Sequence, residues 1–395
     1  MTSTGLAPAV APAIAIVGSG PAGCYSAGFL SKKWPDAQIT IFDRLELPYG
    51  LVRYGVAPDH LGTKAVTQQF DRLFERPGVS FVGGIEVGTD VTLRSLRDTF
   101  DIVVLATGLS ADRALATPGA ILPGVYGAGA LTRLINGHPH ESPERVQLGE
   151  TVTIIGHGNV AIDLVRLLLT PPAALLALGV PAQIVAAITS PPVRTIEIIG
   201  RSPAPKAKFD IAMAKELSSL SDLRVLADAL VSTRAADDSA APDDSAAPDD
   251  SATPDARTAA IAQLVADSPF TASRTVHFRF GWTPHRVLGD TRVEGIRFRN
   301  DSGELLNLAT DSICTAMGFF EHEDAALRLG DHTTERTNLE SGLIDEGLYC
   351  VGWLRRGPTG TIPANRADAK MVTDRIVADY RTVDHKIADH TKESS

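Results

Sequence analysis

The chain has 395 residues, of which 44% are hydrophobic and 21% are charged, and its formal net charge at pH 7 is -10. This length and composition are typical of a globular enzyme with two packed domains. The acidic balance argues against a nucleic-acid partner, because nucleic-acid binders carry clustered surplus lysine and arginine. The three cysteines, Cys24, Cys314 and Cys350, lie too far apart in sequence for a Cys-x-x-Cys redox pair or a zinc knuckle. We therefore expect reduced core cysteines and no metal site.

The apolar segments of the chain predict a cytoplasmic protein. The first apolar run, residues 13–17, leads directly into a glycine loop and lacks the basic region and cleavage site of a secretory signal. The most apolar stretch, PPAALLALGVPAQIVAAIT, is interrupted by Gly179 and Pro181. It is too broken to cross a membrane, and we interpret it as helix and loop. Neither segment indicates a membrane partner.

A complete dinucleotide-binding pattern stands near the N-terminus, in the stretch AIAIVGSGPAG. A short apolar strand precedes the loop, a helical run follows it, and a second strand, QITIFD, ends in Asp43 about twenty residues on. In this pattern Gly18 allows the tight turn, Gly20 lets a pyrophosphate approach the backbone, and Gly23 brings helix against strand. The helix N-terminus favours anionic phosphates, and Asp43 is placed to bind ribose hydroxyls. The alternative is a glycine turn in an unrelated parallel sheet.

A second glycine loop follows the strand in TIIGHGNVAID, residues 153–163. Ala161 stands where the last glycine would be, which the pattern tolerates because close packing needs only a small residue. The next strand, TIEIIG, is followed by Arg201 and Ser202 and has no carboxylate at its end. An acid favours a free ribose 2′-hydroxyl, whereas arginine favours a 2′-phosphate. The two loops therefore predict two different dinucleotides, FAD at the first and NADP at the second. The candidate residues of the second loop are Gly156, His157, Gly158, Asn159 and Val160.

A repetitive acidic segment, ADDSAAPDDSAAPDDSATPD, occupies residues 236–255. It has no branched apolar or aromatic side chain, so it cannot bury enough surface to offset its chain entropy. We expect a disordered acidic loop that acts as a solvated spacer.

Three further stretches support a pair of dinucleotide domains. The strands in FDIVVLATGL and DSICTAMGFF each end in a small-residue turn, at Gly108 and Gly318, which suits a crossover between domains. The stretch GLYCVGWLRRGPTGTIPANRADAKMV is interpreted as a strand, a glycine turn and a helix start. Such a turn can aim backbone N–H groups at a flavin carbonyl, although its glycines could also be ordinary turn residues.

Four motifs in this order give the chain a family resemblance. They are VGSGPAGCYSAGFL, PYGLVRYGVAPDH, IIGHGNVAIDLVRLLL and GLYCVGWLRRGPTGTIPANRADA. With them the sequence resembles the adrenodoxin reductase-like ferredoxin:NADP⁺ reductases over most of residues 10–215 and 270–380. The resemblance implies that NADPH passes a hydride to FAD, which hands single electrons to a ferredoxin.

The resemblance also implies an α/β fold with two Rossmann-like dinucleotide-binding domains, the NADP domain being inserted in the FAD domain. The expected segments are 10–110 and 318–382 for the FAD domain, 111–317 for the NADP domain and 383–395 for a flexible tail. The residues implied to contact FAD are Ala22, Asp43, Leu51, Val87, Trp353, Gly360, Thr361 and Ile362. By the same resemblance, Gly158, Asn159 and Val160 would bind the NADP pyrophosphate and Arg201 the 2′-phosphate.

Three polar residues are candidate catalytic groups by this resemblance. The family places His60 and Asp163 near the redox centre, where Asp163 would orient His60 or support a proton path. Glu216 corresponds to a family glutamate near the nicotinamide. The alternatives are a loop histidine and an acid favoured by the helix dipole.

The chain also departs from the family pattern. Ser202 stands where a second arginine is usual, Met213 replaces a glutamate, and the acidic repeat replaces more ordered structure. The NADP preference and the docking of a partner are therefore less firmly implied than flavin binding. Acidic ferredoxins would dock on an arginine-rich stretch, although a solvated strand face explains it equally well. Its members are Arg274, Arg279, Arg286, Arg292, Arg297 and Arg299.

Other functions compete with this interpretation. A disulfide reductase would need a cysteine pair beside the flavin, and a glutamate synthase-like subunit would bring cluster-binding cysteines. A different class of function is a flavin- and nucleotide-binding redox sensor or interaction module with little turnover. The presence of His60, Asp163 and Trp353 argues against that alternative. The sequence does not determine the oligomeric state.

Overall fold

The structure is a computed structural model that describes residues 11–228, 254–322 and 325–393. The acidic repeat predicted to be disordered lies outside these ranges, apart from its last two residues. Those two residues begin a helix.

The strands and helices alternate along most of the chain. The strands are β1 (Ala13–Val17), β2 (Gln38–Phe42), β3 (Val79–Val82), β4 (Ile102–Leu105), β5 (Ala111–Asp112), β6 (Val125–Gly127), β7 (Thr151–Ile155), β8 (Thr195–Gly200), β9 (Leu223–Ala227), β10 (Arg274–Phe280), β11 (Thr283–Leu288), β12 (Gly295–Arg299), β13 (Leu305–Ala309), β14 (Ser312–Thr315), β15 (Phe319–Phe320), β16 (Leu343–Asp345) and β17 (Leu348–Cys350). The helices are α1 (Pro21–Lys33), α2 (Leu51–Tyr54), α3 (Leu61–Lys64), α4 (Thr67–Phe74), α5 (Leu93–Thr99), α6 (Ala128–Ile135), α7 (Asn159–Leu168), α8 (Pro172–Ala177), α9 (Ala182–Thr189), α10 (Ile211–Lys215), α11 (Pro254–Asp267), α12 (Trp353–Arg356) and α13 (Ile362–Glu393). Short 3-10 turns cover Pro143–Arg145, Ala204–Lys206, Glu216–Ser219 and Leu329–His332.

The chain divides into two compact units. Unit 1 holds the residues up to Arg53, Leu61–Ser110 and the chain from Phe320 onward, and unit 2 holds Tyr54–His60 and Ala111–Phe319. The chain passes from one unit to the other near residues 110 and 319. These points lie close to Gly108 and Gly318, where the sequence predicts crossovers.

Unit 1 is built on a six-stranded sheet in the order β16-β17-β4-β1-β2-β3. Its strands are parallel except for β16, which pairs antiparallel with β17. All four residues of β4 are buried, which is typical of a parallel strand covered on both faces. Helix α1 packs against α13, and the core contains Ile14, Ile16 and Val104.

Unit 2 is built on a second six-stranded sheet, parallel throughout, in the order β6-β14-β7-β8-β10-β9. Its core contains Ile154, Ile162 and Ile198. An antiparallel sheet of β11, β12 and β13 packs its apolar side chains on residues such as Ile199. Both units are thus α/β with parallel sheets, which confirms the predicted fold class.

The segment Tyr54–His60 belongs to unit 2, although the sequence analysis assigns it to the first domain. Tyr54 stacks edge-on against His138 at 4.8 Å between ring centroids, and its carbonyl accepts a hydrogen bond from Asn136 Nδ2 at 3.2 Å. Ala57 is fully buried in the core of unit 2. These packing partners have no local signal in the sequence because Asn136 lies 82 residues after Tyr54.

Helix α13 extends through residues 383–393, which the sequence analysis assigns to a flexible tail. The extension has a physical basis, because this stretch contains no glycine or proline that would end a helix. All three cysteines are buried and free, in agreement with their predicted place in the core. Within the described ranges, no helix has both the length and the apolar character needed to span a bilayer.

Candidate functional site

The first glycine loop has no room for side chains at two of its glycines. Gly18 has a φ of 109°, and a Cβ there would lie 2.4 Å from the carbonyl oxygen of Ala106 at the end of β4. A Cβ on Gly23 would lie 2.0 Å from the carbonyl oxygen of Gly18. Gly20, in contrast, would meet nothing within 4 Å. The loop is therefore held tightly against the sheet and open at the position where a phosphate would approach.

Asp43 lies directly after β2, and hydrogen bonds fix its carboxylate beside the loop. Oδ2 accepts from the backbone N of Ser19 at 2.8 Å and from Ser19 Oγ at 2.5 Å, while Oδ1 accepts from the N of Leu45 at 3.0 Å. A carboxylate has about four acceptor positions, so one remains for a ribose hydroxyl. The carboxylate is thus oriented before any ligand binds.

Other residues of the predicted flavin site approach the same loop in unit 1. A Cβ on Gly50 would lie 3.3 Å from Gly20 Cα, which places Leu51 next in the chain beside the loop. A Cβ on Gly352 would lie 2.6 Å from Ala22 Cβ, so the turn that carries Trp353 reaches the start of α1. These close approaches bring three predicted segments together.

The remaining predicted flavin residues have different surroundings. Trp353 Nε1 donates to the carbonyl oxygen of Thr359 at 3.0 Å, and Gly360 has a φ of 79°. Thr361 is exposed, and Ile362 is half-buried at the start of α13. Val87 is buried in an apolar cluster with Val17 and Leu105, beneath the end of the sheet.

Two residues that the sequence analysis did not single out fix this turn. Asp368 is buried, and its Oδ2 accepts from the N of Gly352 at 2.6 Å while its Oδ1 accepts from Arg355 Nε at 3.0 Å. An adenine dinucleotide with a free ribose suits this site. The site consists of the first glycine loop, the oriented carboxylate of Asp43 and the turn that Asp368 holds. The residues of unit 1 therefore fit FAD.

The second glycine loop repeats this construction in unit 2. Gly156 has a φ of 121°, and a Cβ there would lie 2.3 Å from the carbonyl oxygen of Ala316 at the end of β14. Gly158 would meet nothing within 4 Å. Asn159 begins α7, and its Oδ1 accepts from the N of Asp210 at 2.7 Å. Val160 is half-buried behind it.

His157 is buried behind the second loop. Its ring stacks on Phe280 at 4.6 Å between centroids, and Nε2 lies 3.2 Å from the carbonyl oxygen of Ile198. A Cβ on Gly200 would come within 2.7 Å of His157 Nδ1. Burial lowers the pKa of His157 to about 4, so the ring is neutral at neutral pH. The side chain of His157 is therefore not available to a nucleotide, whereas its backbone is.

Arg201 and Ser202 follow β8, which places them next to the second loop. The Arg201 side chain is exposed, and Ser202 is half-buried. The chain then turns back, since the N of Lys208 donates to the carbonyl oxygen of His157 at 3.1 Å. The strand is therefore followed by Arg201 and Ser202 and not by a carboxylate, which fits a dinucleotide with a 2′-phosphate.

An ionic cluster in unit 2 gathers all three predicted catalytic residues. His60 Nε2 lies 3.6 Å from Asp163 Oδ1 and 3.5 Å from Glu216 Oε2. At their centre is Arg166, whose side chain is 6% exposed. Arg166 Nη2 lies 2.7 Å from Asp163 Oδ1 and 2.8 Å from His60 Nε2, and Nη1 lies 2.8 Å from Glu216 Oε2.

The carboxyl groups of the cluster respond differently to this environment. Burial raises the pKa of Asp163 above its usual range, against the opposing charges of His60 and Arg166. Asp59 is also partly buried, but its hydrogen bonds to Arg166, at 2.6 Å and 3.1 Å, lower its pKa. Asp59 therefore ionises readily beside Arg166, whereas burial disfavours the ionised form of Asp163.

Arg166 and Asp59 complete this cluster and were not among the residues predicted from the sequence. One signal was present, because Arg166 is a charged residue within the apolar run of α7 and stands three residues after Asp163. That spacing puts both side chains on one face of the helix. The contacts with Asp59 and Glu216 have no local signature.

The predicted arginine surface is only partly available. Arg274 donates to the carbonyl oxygens of Leu169 and Ser221. Arg279 pairs with Glu197 at 2.6 Å and with Asp228 at 2.5 Å. The side chains of these two arginines therefore already have partners within unit 2. They belong to β10, an interior strand, where partly buried charged side chains need such partners.

Comparisons with known proteins agree with this geometry. A family model described as pyridine nucleotide-disulphide oxidoreductase matches residues 12–209. Cindoxin reductase of Citrobacter braakii is 46% identical over 378 residues, covering 94% of this chain and 78% of that protein. The mitochondrial NADPH:adrenodoxin oxidoreductase of Bos taurus is 32% identical over 389 residues, covering 94% of this chain and 79% of that protein. The solved structure of FprA from Mycobacterium tuberculosis in complex with NADPH has a TM-score of 0.84 at 27% identity, over 97% of this chain and 89% of that one.

Proposed function

Because the chain belongs to the pyridine nucleotide-disulphide oxidoreductase family, and within it to the adrenodoxin reductase-like ferredoxin:NADP⁺ reductases, we propose that it is an FAD-dependent ferredoxin–NADP⁺ reductase. It transfers a hydride from NADPH to FAD and then passes single electrons to a ferredoxin-type iron–sulphur protein. The Citrobacter braakii relative is named for cindoxin and the Bos taurus relative for adrenodoxin. By analogy, the partner of this chain is a small redox protein, and the family resemblance favours a ferredoxin.

One observation carries the proposal. Two loops of the same construction stand in separate units, and the strand beside each one ends in a different charge. Asp43 completes the first loop and Arg201 the second. An acid selects a plain ribose and an arginine selects a phosphorylated one, so the chain holds a flavin dinucleotide and NADP together.

The residues of unit 1 bind and orient the flavin. Bound FAD supplies the conversion from two-electron to one-electron transfer. The backbone around Gly20 receives the pyrophosphate at the N-terminus of α1, and Asp43 holds the adenosine ribose. Trp353, whose Nε1 donates to the carbonyl oxygen of Thr359, and Gly352, whose N donates to Asp368, belong to the turn that would border the flavin ring system together with Gly360. Their hydrogen bonds within the protein limit the rearrangement needed on binding.

The residues of unit 2 bind the nicotinamide donor. Gly158, Asn159 and Val160 take the pyrophosphate, while Arg201 and Ser202 take the 2′-phosphate. His60 Nε2 lies beside Asp163 and Glu216, and these three are the proposed catalytic residues. Each role follows from the position of the residue at a loop, at a strand end or in the ionic cluster.

The proposal is tested by the absorption spectrum of the purified protein under nitrogen. We expect an oxidised flavin spectrum that bleaches on addition of NADPH and recovers when an oxidised ferredoxin is added. NADH at the same concentration should bleach it more slowly. A protein that stays colourless after incubation with FAD would contradict the proposal. Bleaching by NADPH without transfer to ferredoxin or cytochrome c would instead support a sensor with little turnover.

A further inference from the structure

We propose that Arg166 is a positioning residue that keeps Nε2 of His60 unprotonated, so that the imidazole carries its proton on Nδ1. The inference deepens the proposed function and rests on it for its kinetic consequence. Its structural part concerns the chain alone and can be tested without any electron donor.

The hydrogen bond between Arg166 and His60 can form in only one direction. Arg166 Nη2 lies 2.8 Å from His60 Nε2. A guanidinium has five N–H donors and no acceptor, and it stays protonated throughout the accessible pH range. The hydrogen bond therefore requires a lone pair on Nε2. The ring proton must then be on Nδ1, and an imidazolium would place two N–H groups against each other.

The guanidinium of Arg166 is also held in place. Nε of Arg166 donates to Asp59 Oδ2 at 2.6 Å, and Nη1 donates to Glu216 Oε2 at 2.8 Å. Nη2 has two N–H groups, and its two nearest acceptors are Asp163 Oδ1 at 2.7 Å and His60 Nε2 at 2.8 Å, while Asp59 Oδ1 is farther at 3.1 Å. These contacts come from three segments of unit 2 and fix the planar group on every side. Rotation away from His60 would break several charged hydrogen bonds.

The carboxylates and the guanidinium of the cluster have opposite effects on the protonation of His60 Nε2. Asp163 and Glu216 both lie within 3.6 Å of His60 Nε2, and each favours a proton on that nitrogen. Arg166 lies closer and opposes it. The other charged group of the cluster, Asp59, pairs with Arg166. Removal of the arginine thus leaves Nε2 facing two carboxylates, and it should gain a proton.

The test uses the full-length, FAD-loaded, oxidised protein with ¹⁵N-labelled histidine. Ring nitrogen shifts distinguish the two neutral tautomers from the imidazolium, and the signal of His60 is assigned by its loss in His60→Gln. At pH 7 we expect an unprotonated Nε2 in the wild type and a protonated Nε2 in Arg166→Met. Arg194→Met is the matched control, because Arg194 is exposed just before β8 and pairs with Glu150, which is not part of the cluster. It should leave the His60 signal unchanged.

A second variant covers the case in which Arg166→Met does not fold, since that substitution removes the arginine that pairs with the buried Asp163. In Arg166→Met/Asp163→Asn that charge is removed, and Glu216 still faces His60 Nε2. We expect Nε2 to be protonated here too. A protonated Nε2 in the wild type, or an unprotonated one in the folded variant, would overturn the inference.

Kinetics separate this inference from the proposed function. In the folded variant the rate of flavin reduction at saturating NADPH should fall about tenfold, with the dissociation constant of NADPH changed less than about threefold. A wild type that NADPH does not reduce refutes the proposed function, whereas the tautomer measurement stands by itself. An unchanged rate alongside the expected tautomer shift would overturn the positioning role.

Discussion

In the first glycine loop Gly18 lies against the carbonyl oxygen of Ala106, and in the second Gly156 lies against that of Ala316 in the same way. Both glycines have a positive φ, at 109° and 121°. A side chain is excluded from each because the neighbouring parallel strand ends there. The same backbone cradle has thus been formed twice, in two units, from the same local geometry.

The two loops differ in how the helix meets the strand. A Cβ on Gly23 would lie 2.0 Å from a backbone oxygen, whereas Ala161 carries a Cβ and is fully buried. They differ also in the second residue of the loop, since Ser19 bonds to Asp43 and His157 stacks on Phe280. In the proposed function the backbone binds phosphate in both loops, and these few side chains distinguish the dinucleotide that each one would select.

The largest effect is expected from Gly23→Ala. The added Cβ would overlap the Gly18 carbonyl, and backbone cannot move aside as a flexible side chain can. We expect a loss of at least about 3 kcal/mol in the free energy of unfolding, together with loss of flavin. Denaturant unfolding and flavin content measure both. Gly28→Ala on the same helix is the control, because its Cβ would meet only Leu73 Cδ1 at 3.9 Å. Equal losses in the two variants would count against the tight first loop.

The next effect concerns the charge that completes the second loop. Arg201→Ala should lower the ratio of kcat/KM for NADPH over NADH about ten- to a hundredfold, the cost of one charge-assisted phosphate contact. Ser202 and the nearby lysines should preserve part of the preference. Arg194→Ala removes an arginine at the other end of β8 and should leave the ratio unchanged. A ratio that is the same in Arg201→Ala and the wild type would show that another residue selects the donor.

The buried histidine makes the second loop sensitive to acid. The pKa of His157 is about 4 when folded, through burial, against an ordinary value of 6.5. The unfolded chain therefore binds more protons between these values, and stability that is complete above about pH 6.5 falls as the pH drops toward 4. Between pH 7 and pH 5 this group should cost unit 2 about 2 kcal/mol. Hydrogen exchange measured separately for each unit reports the free energy of opening of unit 2. This free energy should change less with pH in His157→Gln than in the wild type, and an equal change in both proteins would exclude His157 as the cause.

The smallest effect is expected from Ala161→Gly, which makes the second loop resemble the first. The variant gains backbone freedom within a helix and loses a buried methyl group, so unfolding should become easier by about 1 kcal/mol. Ala27→Gly in α1, which is also fully buried, should cost a similar amount. Denaturant midpoints provide the comparison. A stability gain in Ala161→Gly would mean that its methyl group strains the second loop.

Much of the candidate site could be predicted from the sequence because each loop is local. Gly18, Gly20 and Asp43 occur at the spacing that one strand, one turn and one helix require, and Gly156 and Arg201 repeat it. The turn after Trp353 was recognisable in the same way. Its buried anchor Asp368 was not, since a carboxylate within a helix has no distinctive local pattern.

The sequence by itself determined the two nucleotide loops, the parallel α/β sheets and the charge at the end of each second strand. Only the tertiary structure decided that Tyr54–His60 packs with unit 2 and that Arg279 is paired internally. It also brought Arg166 to Asp59 and Glu216, which are 107 and 50 residues away in the chain. The physical reason is that a tight turn constrains the residues that form it. The partners of a buried charge depend instead on where distant segments meet.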